Sequence, residues 1–234
     1  MLKNLMLLRD PLKQTKINPE NSQNSGFFAI LARAGVGKTA LMVQIAINAM
    51  LKGKNVMHIS RNDPVDKVDA WYNELFSRMI QEIEPGRKTG DLWDELLRHR
   101  FIMTFETESF SVPKLKKRID ELIRQKIFHP SFVMIDGFSF KDTSMEDIKA
   151  LYEFVQKHCM MNWFTVRIHR EKPDGDPDII SPELEPISNL FETMILLDPE
   201  KDKIHLKTII DLHNKNVDYS GLYLDPSTML IKKI

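Results

Sequence analysis

Residues 32–39 read Ala-Arg-Ala-Gly-Val-Gly-Lys-Thr, a spacing of small residues, an ammonium and a hydroxyl suited to holding an anion. Gly35 and Gly37 admit positive φ, so the backbone N–H groups of Ala34, Gly35, Val36, Gly37, Lys38, Thr39 and Ala40 can turn toward one centre. Lys38 can reach terminal phosphates, and the Thr39 hydroxyl can ligate Mg²⁺. A helix starting at this point adds the positive end of its dipole. A plain glycine turn between strand and helix is the bland alternative, and it leaves the Lys38–Thr39 pair without a reason. The pattern predicts binding of a nucleoside triphosphate.

A second stretch bears on the same chemistry. Residues 132–136 read Phe-Val-Met-Ile-Asp, four apolar residues closed by a carboxylate, the form of a Walker B strand. Asp136 at the end of a buried strand can hold a Mg²⁺ shell, usually through water. Alone, such an ending also fits a strand that stops at a turn. About a hundred residues after a phosphate loop, it is read as a metal carboxylate, as Thr39 is read as a metal hydroxyl.

These residues need strands and helices to position them. Residues 27–31 form an apolar run that reads as a buried strand, followed by a helix with the stripe Leu41, Met42, Ile45, Ala46 and Ala49, ended by Gly53. Residues 55–60 read as a second strand. Asp63 is then expected as N-cap and Pro64 as first helical residue. Val68, Tyr72, Leu75, Phe76, Met79 and Ile83 make the buried stripe of that helix, which stops near Pro85-Gly86. A short helix over 91–98 and a strand over 101–105 follow. Ser111 is a cap for a helix carrying Leu115, Ile119, Leu122 and Ile123. Ser144 with Asp147 is a capping pattern for a helix that turns Ile148, Leu151, Val155 and Cys159 inward. Residues 163–168, 193–197, 203–211 and the 222–231 region read as further strands, the last ones antiparallel. Alternating strands and helices predict an α/β chain with a mostly parallel sheet covered on both faces and its ligand at the carboxyl ends of the strands. Residues 1–25 read as an apolar N-terminal segment and a polar linker, and residues 26–234 as the nucleotide-binding domain.

Composition narrows the classes. The 234 residues contain 42% hydrophobic residues, enough for a substantial core. Lys plus Arg equals Asp plus Glu at 33 each, so no overall basic field draws in nucleic acid. Cys159 is the only cysteine, which leaves no disulfide framework and no cysteine zinc site. No run approaches the ~18 apolar residues of a membrane span. The expectation is a soluble, cytoplasmic protein.

The order of these features resembles the RecA-like ATPases, most of all the KaiC and DnaB-helicase-like branches. Residues 32–60, including Gln44, carry the strongest likeness; residues 118–137 and 189–216 add to it. The resemblance implies a RecA-like P-loop core, ATP with Mg²⁺ as ligand, and a homo-oligomer with nucleotide near subunit interfaces. Leu2, Leu5 and Leu8 are then candidates for packing across subunits. It also implies that His169 and Arg170, at a strand end, sense the terminal phosphate; a solvent-facing pair is the alternative.

Departures from the family pattern bear on hydrolysis. Ala32 stands where the loop usually begins with glycine. The family carries a water-polarising glutamate just after the second strand; here the segment is Ser60-Arg61-Asn62-Asp63-Pro64. Asn62 cannot act as a base, and Asp63 is either a shorter base or an N-cap. The basic pair that often reaches a neighbour's phosphate is not evident, and Lys215 is the nearest candidate. Residues 171–190 hold six carboxylates against Lys172, which would repel a nucleic acid. Lys114, Lys116, Lys117 and Arg118 read as the wet face of a helix, with a polyanion patch as the alternative.

The expected function is therefore a slow Mg²⁺-dependent ATPase that uses nucleotide state to control assembly or partner contacts. A non-hydrolysing, ATP-dependent switch or scaffold is the rival. A DNA-translocating motor ranks third, and kinase chemistry on a partner stays open.

Overall fold

Strand β1 (Gly26–Ala32) is buried along its whole length, as a strand between two covered faces must be. Its side chains alternate: Phe28, Ile30 and Ala32 enter one apolar core, while Phe27, Ala29 and Leu31 enter the other. The protein is seen here as a computed structural model that describes residues 2–14, 25–61, 63–88, 90–105, 110–168, 183–211 and 221–233.

After β1 come α3 (Lys38–Leu51), β2 (Val56–Ser60), α4 (Val65–Ile83), α5 (Gly90–Leu97), β3 (Arg100–Thr104), α6 (Val112–Arg124), β4 (Phe132–Asp136), α7 (Met145–Lys157) and β5 (Met161–Arg167). A 3₁₀ turn over Glu185–Leu190 leads to β6 (Phe191–Glu200), β7 (Lys203–Asp211), β8 (Leu222–Leu224) and β9 (Ile231–Lys233). Two short helices, α1 (Leu2–Leu8) and α2 (Pro11–Gln14), precede β1.

Among the described residues the strands form one sheet in the order β3-β2-β4-β5-β1-β6-β7-β8-β9. The pairings from β3 through to β6 are parallel, and those from β6 to β9 antiparallel. The expected α/β class, with antiparallel strands at the C-terminal end, is what is found. The connections follow one handedness rule. Going from β1 to β2 and on to β3 the chain moves toward one edge, and α3 to α5 join the first core; the return through β4 and β5 carries α6 and α7 into the second.

Helix α3 differs from its expected single stripe: every residue from Ala40 to Leu51 is buried. The reason is that it is covered all round. It lies on the sheet, under α4, with Leu2, Met6 and Leu12 of the N-terminal helices, Leu224 of β8 and Leu230 just before β9 in the same core. Leu2 is thus used within its own chain rather than held for a neighbour, while Leu8 is exposed. Buried Asp10 fixes this N-terminal piece by an ion pair to Lys52 at 2.8 Å and by accepting from the Leu12 N–H at 3.0 Å. Gln44, also buried, clamps the C-terminal piece: its Nε2 donates to the Met229 carbonyl at 2.8 Å, and its Oε1 accepts from the Ile231 N–H at 3.0 Å.

The caps at Ser111 and Ser144 form as read, accepting from the N–H groups of Lys114 and Asp147. Two local expectations are corrected. Pro64, with extended backbone, is the N-cap of α4, and no side chain among the described residues caps that helix; Asp63 instead has its carboxylate 2.7 Å from the Lys67 ammonium. Cys159 lies beyond the end of α7 with φ of 51° and is exposed, because the helix has already turned at His158. Phe154 takes the inward place. No helix among the described residues is long and apolar enough to cross a membrane.

Candidate functional site

The parallel strands β1, β2, β4 and β5 end on one side of the sheet, and the polar residues gather there. Gly35 and Gly37 carry φ of 76° and 109°, so both glycines sit in the left-handed region that the turn requires. Around Gly35 a Cβ would meet open space, whereas at Gly37 it would come within 2.5 Å of Leu224 Cδ2. Gly37 therefore serves both conformation and close packing, and it is the N-cap of α3. Ala34 and Gly35 are exposed, Val36, Gly37, Lys38 and Thr39 half-buried, and Ala40 buried as the helix enters the core.

The Lys38 ammonium bends back over the loop, donating to the Ala32 carbonyl at 3.0 Å and the Arg33 carbonyl at 2.9 Å. Burial lowers its pKa; the Asp136 charge raises it and the Arg167 charge lowers it. The Thr39 hydroxyl donates to Asp136 Oδ2 at 2.8 Å. The two stretches singled out from the sequence thus meet in space. A hydroxyl and a carboxylate are hard oxygen donors of the kind Mg²⁺ prefers, and Mg²⁺ keeps waters and phosphate oxygens in its remaining positions. Among the described residues no group of three or more His, Cys, Asp or Glu is placed to hold a metal without such help.

Sequence reasoning missed the residue that orients Asp136. Thr165 on β5 donates its hydroxyl to Asp136 Oδ1 and accepts from the Gly137 N–H at 3.0 Å. Each carboxylate oxygen is therefore engaged by one threonine. A single threonine in an apolar strand is the only signal, and strand order was needed to see which carboxylate it faces. Arg167 was missed as well; it lies across from Ala32 in the β1–β5 register, close enough for its charge to act on Lys38. Arg61 closes the β2 end, its N–H donating to the Asp136 carbonyl at 3.3 Å and its guanidinium to the Gly137 carbonyl at 3.2 Å. His169, Arg170, Asn62 and Lys215 fall outside the described residues. Asp63 is described, and with Lys67 on its carboxylate it is not set up as an unencumbered base.

Beneath this end of the sheet is a buried polar pair. His58 of β2 is fully buried, with Nδ1 3.1 Å from the Tyr72 hydroxyl of α4 and, among the described residues, no hydrogen-bond partner at Nε2. Arg100 pairs with Asp69 and lies over the Tyr72 ring, 4.8 Å from its centroid. Burial pushes His58 down to about 4, with Asp136 raising, Arg100 lowering and Asp63 raising it; burial pushes Tyr72 up. An imidazole that is neutral in the fold but free to protonate when unfolded stabilises the fold above the unfolded pKa of about 6.5. That contribution is lost as pH falls from about 6.5 toward 4, because the unfolded chain then binds more protons. The loss is roughly 3 kcal/mol at one site. Urea melts across this window should show His58→Gln, which keeps a partner for Tyr72 but does not titrate, losing clearly less stability than the wild type. Parallel pH profiles for the two proteins would contradict the assignment.

No protein-family model matches this sequence, and no curated protein matches it.

Proposed function

We propose that this chain binds MgATP at the loop of residues 32–39 and hydrolyses it slowly, using nucleotide state to control assembly or partner contacts. The observation that carries the reading is the 2.8 Å hydrogen bond between Thr39 and Asp136, two residues far apart in sequence that both end up beside the N-terminus of α3. The glycines with positive φ, Lys38 folded over the loop and the helix dipole support it as a triphosphate cradle. The strand order supports the RecA-like relationship that the motifs suggest, with β5 between the loop strand and the Asp136 strand. When bound, MgATP would supply the transferable phosphoryl group and the charge that neutralises its oxygens. The protein's own part is grip by Lys38 and backbone N–H groups, and orientation of Asp136 by Thr165.

A specific observation favours the rival, a nucleotide-dependent switch without turnover: the carboxylate nearest the expected base position, Asp63, is held by Lys67. Both readings require binding. Saturating MgATP should raise the melting temperature of the wild type, since a ligand at about 100 Kd stabilises the fold by about 2.7 kcal/mol. Light scattering on the same samples should show MgATP-promoted homo-oligomers. An unmoved melting curve would contradict both readings, and a monomer at high concentration with MgATP would remove assembly control.

A further inference from the structure

Strand β3 ends the sheet, and among the described residues nothing pairs with its outer edge. Its register says which backbone groups are turned outward. The His99 carbonyl accepts from the Val56 N–H at 2.8 Å, and the Phe105 N–H donates to the Ser60 carbonyl at 3.1 Å. In a parallel ladder the bonding residues alternate, so the odd positions of β3 face β2. Arg100, Ile102 and Thr104 then point their N–H and C=O groups away from the sheet. Such an edge is a template for another strand.

The surface beside that edge has a definite chemistry. A groove of about 900 Å³ runs between β3 and α6. Phe101, Met103 and Phe105 form its apolar floor and are only partly buried. Lys114, Lys117 and Arg118 form its wall, with Glu121 as the one carboxylate among the described lining residues. Glu121 is 4.0 Å from Lys117 and 3.6 Å from Arg118, too loosely placed to neutralise both. In a chain of zero net charge, a cationic wall over an apolar floor is a local specialisation. Three strands separate it from β1, so it is apart from the phosphate loop.

We infer that this groove is a docking site for an extended peptide segment of a partner protein, one that adds to β3 as a strand and turns both apolar and carboxylate side chains toward α6. Backbone hydrogen bonds to Arg100, Ile102 and Thr104 supply alignment, and the groove selects the side chains. Apolar side chains cover Phe101, Met103 and Phe105; carboxylates meet Lys117 and Arg118. A nucleic acid fits less well. It would satisfy the cations and stack bases on Phe101 and Phe105, but it would leave the outward N–H and C=O row unused.

The test uses full-length protein and a fluorescein-labelled nonapeptide with threonine at odd positions and leucine and glutamate in turn at even ones. A version with lysine for glutamate and an oligo-dT 20-mer serve as comparisons. Fluorescence anisotropy should show saturable binding of the glutamate peptide and none of the lysine peptide or oligo-dT. Thr104→Pro removes an outward N–H without touching the β2 ladder and should abolish binding. The surface double variant Lys117→Glu/Arg118→Glu does not depend on strand geometry; it should weaken the glutamate peptide at least about tenfold and let the lysine peptide bind. Wild-type melting temperatures for that double variant secure the comparison. Failure of the glutamate peptide to bind, equal binding of both peptides, or binding of oligo-dT in their place would overturn the proposal. So would a mass by light scattering that falls on Thr104→Pro without any peptide binding, which would assign the face to a second copy of the chain.

Discussion

Asn62→Glu is expected to raise ATP turnover by about 10²-fold or more, the range a positioned general base contributes. The wild type should turn over far below the ~1–10³ s⁻¹ of ordinary enzymes. Grip and water activation fall to different residues. Lys38 and the loop N–H groups hold phosphate, and Asp136 is oriented by Thr39 and Thr165. Lys38 and the loop N–H groups are donors, and both oxygens of Asp136 are engaged by threonine hydroxyls, so none of these is placed as the base for an attacking water. The segment after β2 offers Asn62, an amide, and Asp63, whose carboxylate is taken by Lys67. Nucleotide affinity should therefore be ordinary in the wild type and little altered by Asn62→Glu. Asp63→Asn should leave the slow rate where it is, since Asp63 is not the cap of α4 and its Oδ1 is turned to Lys67. Phosphate release under saturating MgATP measures all three proteins. Fast turnover in the wild type, above all if stimulated by single-stranded DNA, would favour a motor instead.

Asp136→Asn should remove most of the advantage of MgATP over metal-free ATP and cut residual turnover by roughly two orders of magnitude, the several kcal/mol that oriented metal charge supplies. The fold should tolerate it. The amide oxygen still accepts from one threonine hydroxyl, and the amide N–H₂ can donate to the other once that hydroxyl rotates. Melting without nucleotide should then move by only about 1 kcal/mol, the typical worth of one hydrogen bond. Affinity for ATP in the presence of a chelator should be close to that of the wild type. If Asp136→Asn keeps the full Mg²⁺ dependence, the carboxylate is a strand-end turn residue and the metal assignment fails. Thr165→Val is the companion variant: it spares the charge but frees one oxygen of the carboxylate, so its effect should be smaller and of the same kind.

Much of the framework was legible because it rests on local chemistry. The ends of β1 and β4, the glycine pair and the helix start at Lys38 follow from residue type and spacing alone, as do the caps at Ser111 and Ser144. Thr39 and Asp136 each read as a Mg²⁺ donor from its own motif; their direct hydrogen bond is visible only in the geometry. What stayed hidden depends on tertiary neighbours. Thr165 and Arg167 acquire meaning only when β5 is inserted between β4 and β1. His58 reads as an ordinary strand residue until α4 lays Tyr72 over it. The complete burial of α3 reflects the chain's two ends closing over it, which no stripe within the helix announces. Asp63 failed as a cap because Pro64 itself adopts the extended cap conformation and Lys67 offers a closer charge.

Lys38 is the residue on which nucleotide binding should depend most directly. Titration calorimetry of the full-length wild type with MgATP should give saturable binding at one site per chain. Lys38→Ala should bind about 10–100-fold more weakly, the 1.5–3 kcal/mol of a charged hydrogen bond. Lys117→Ala, on α6 beside the far edge of the sheet, should match the wild type. No saturable heat in the wild type, or an affinity for Lys38→Ala equal to it, would contradict the triphosphate cradle at residues 32–39.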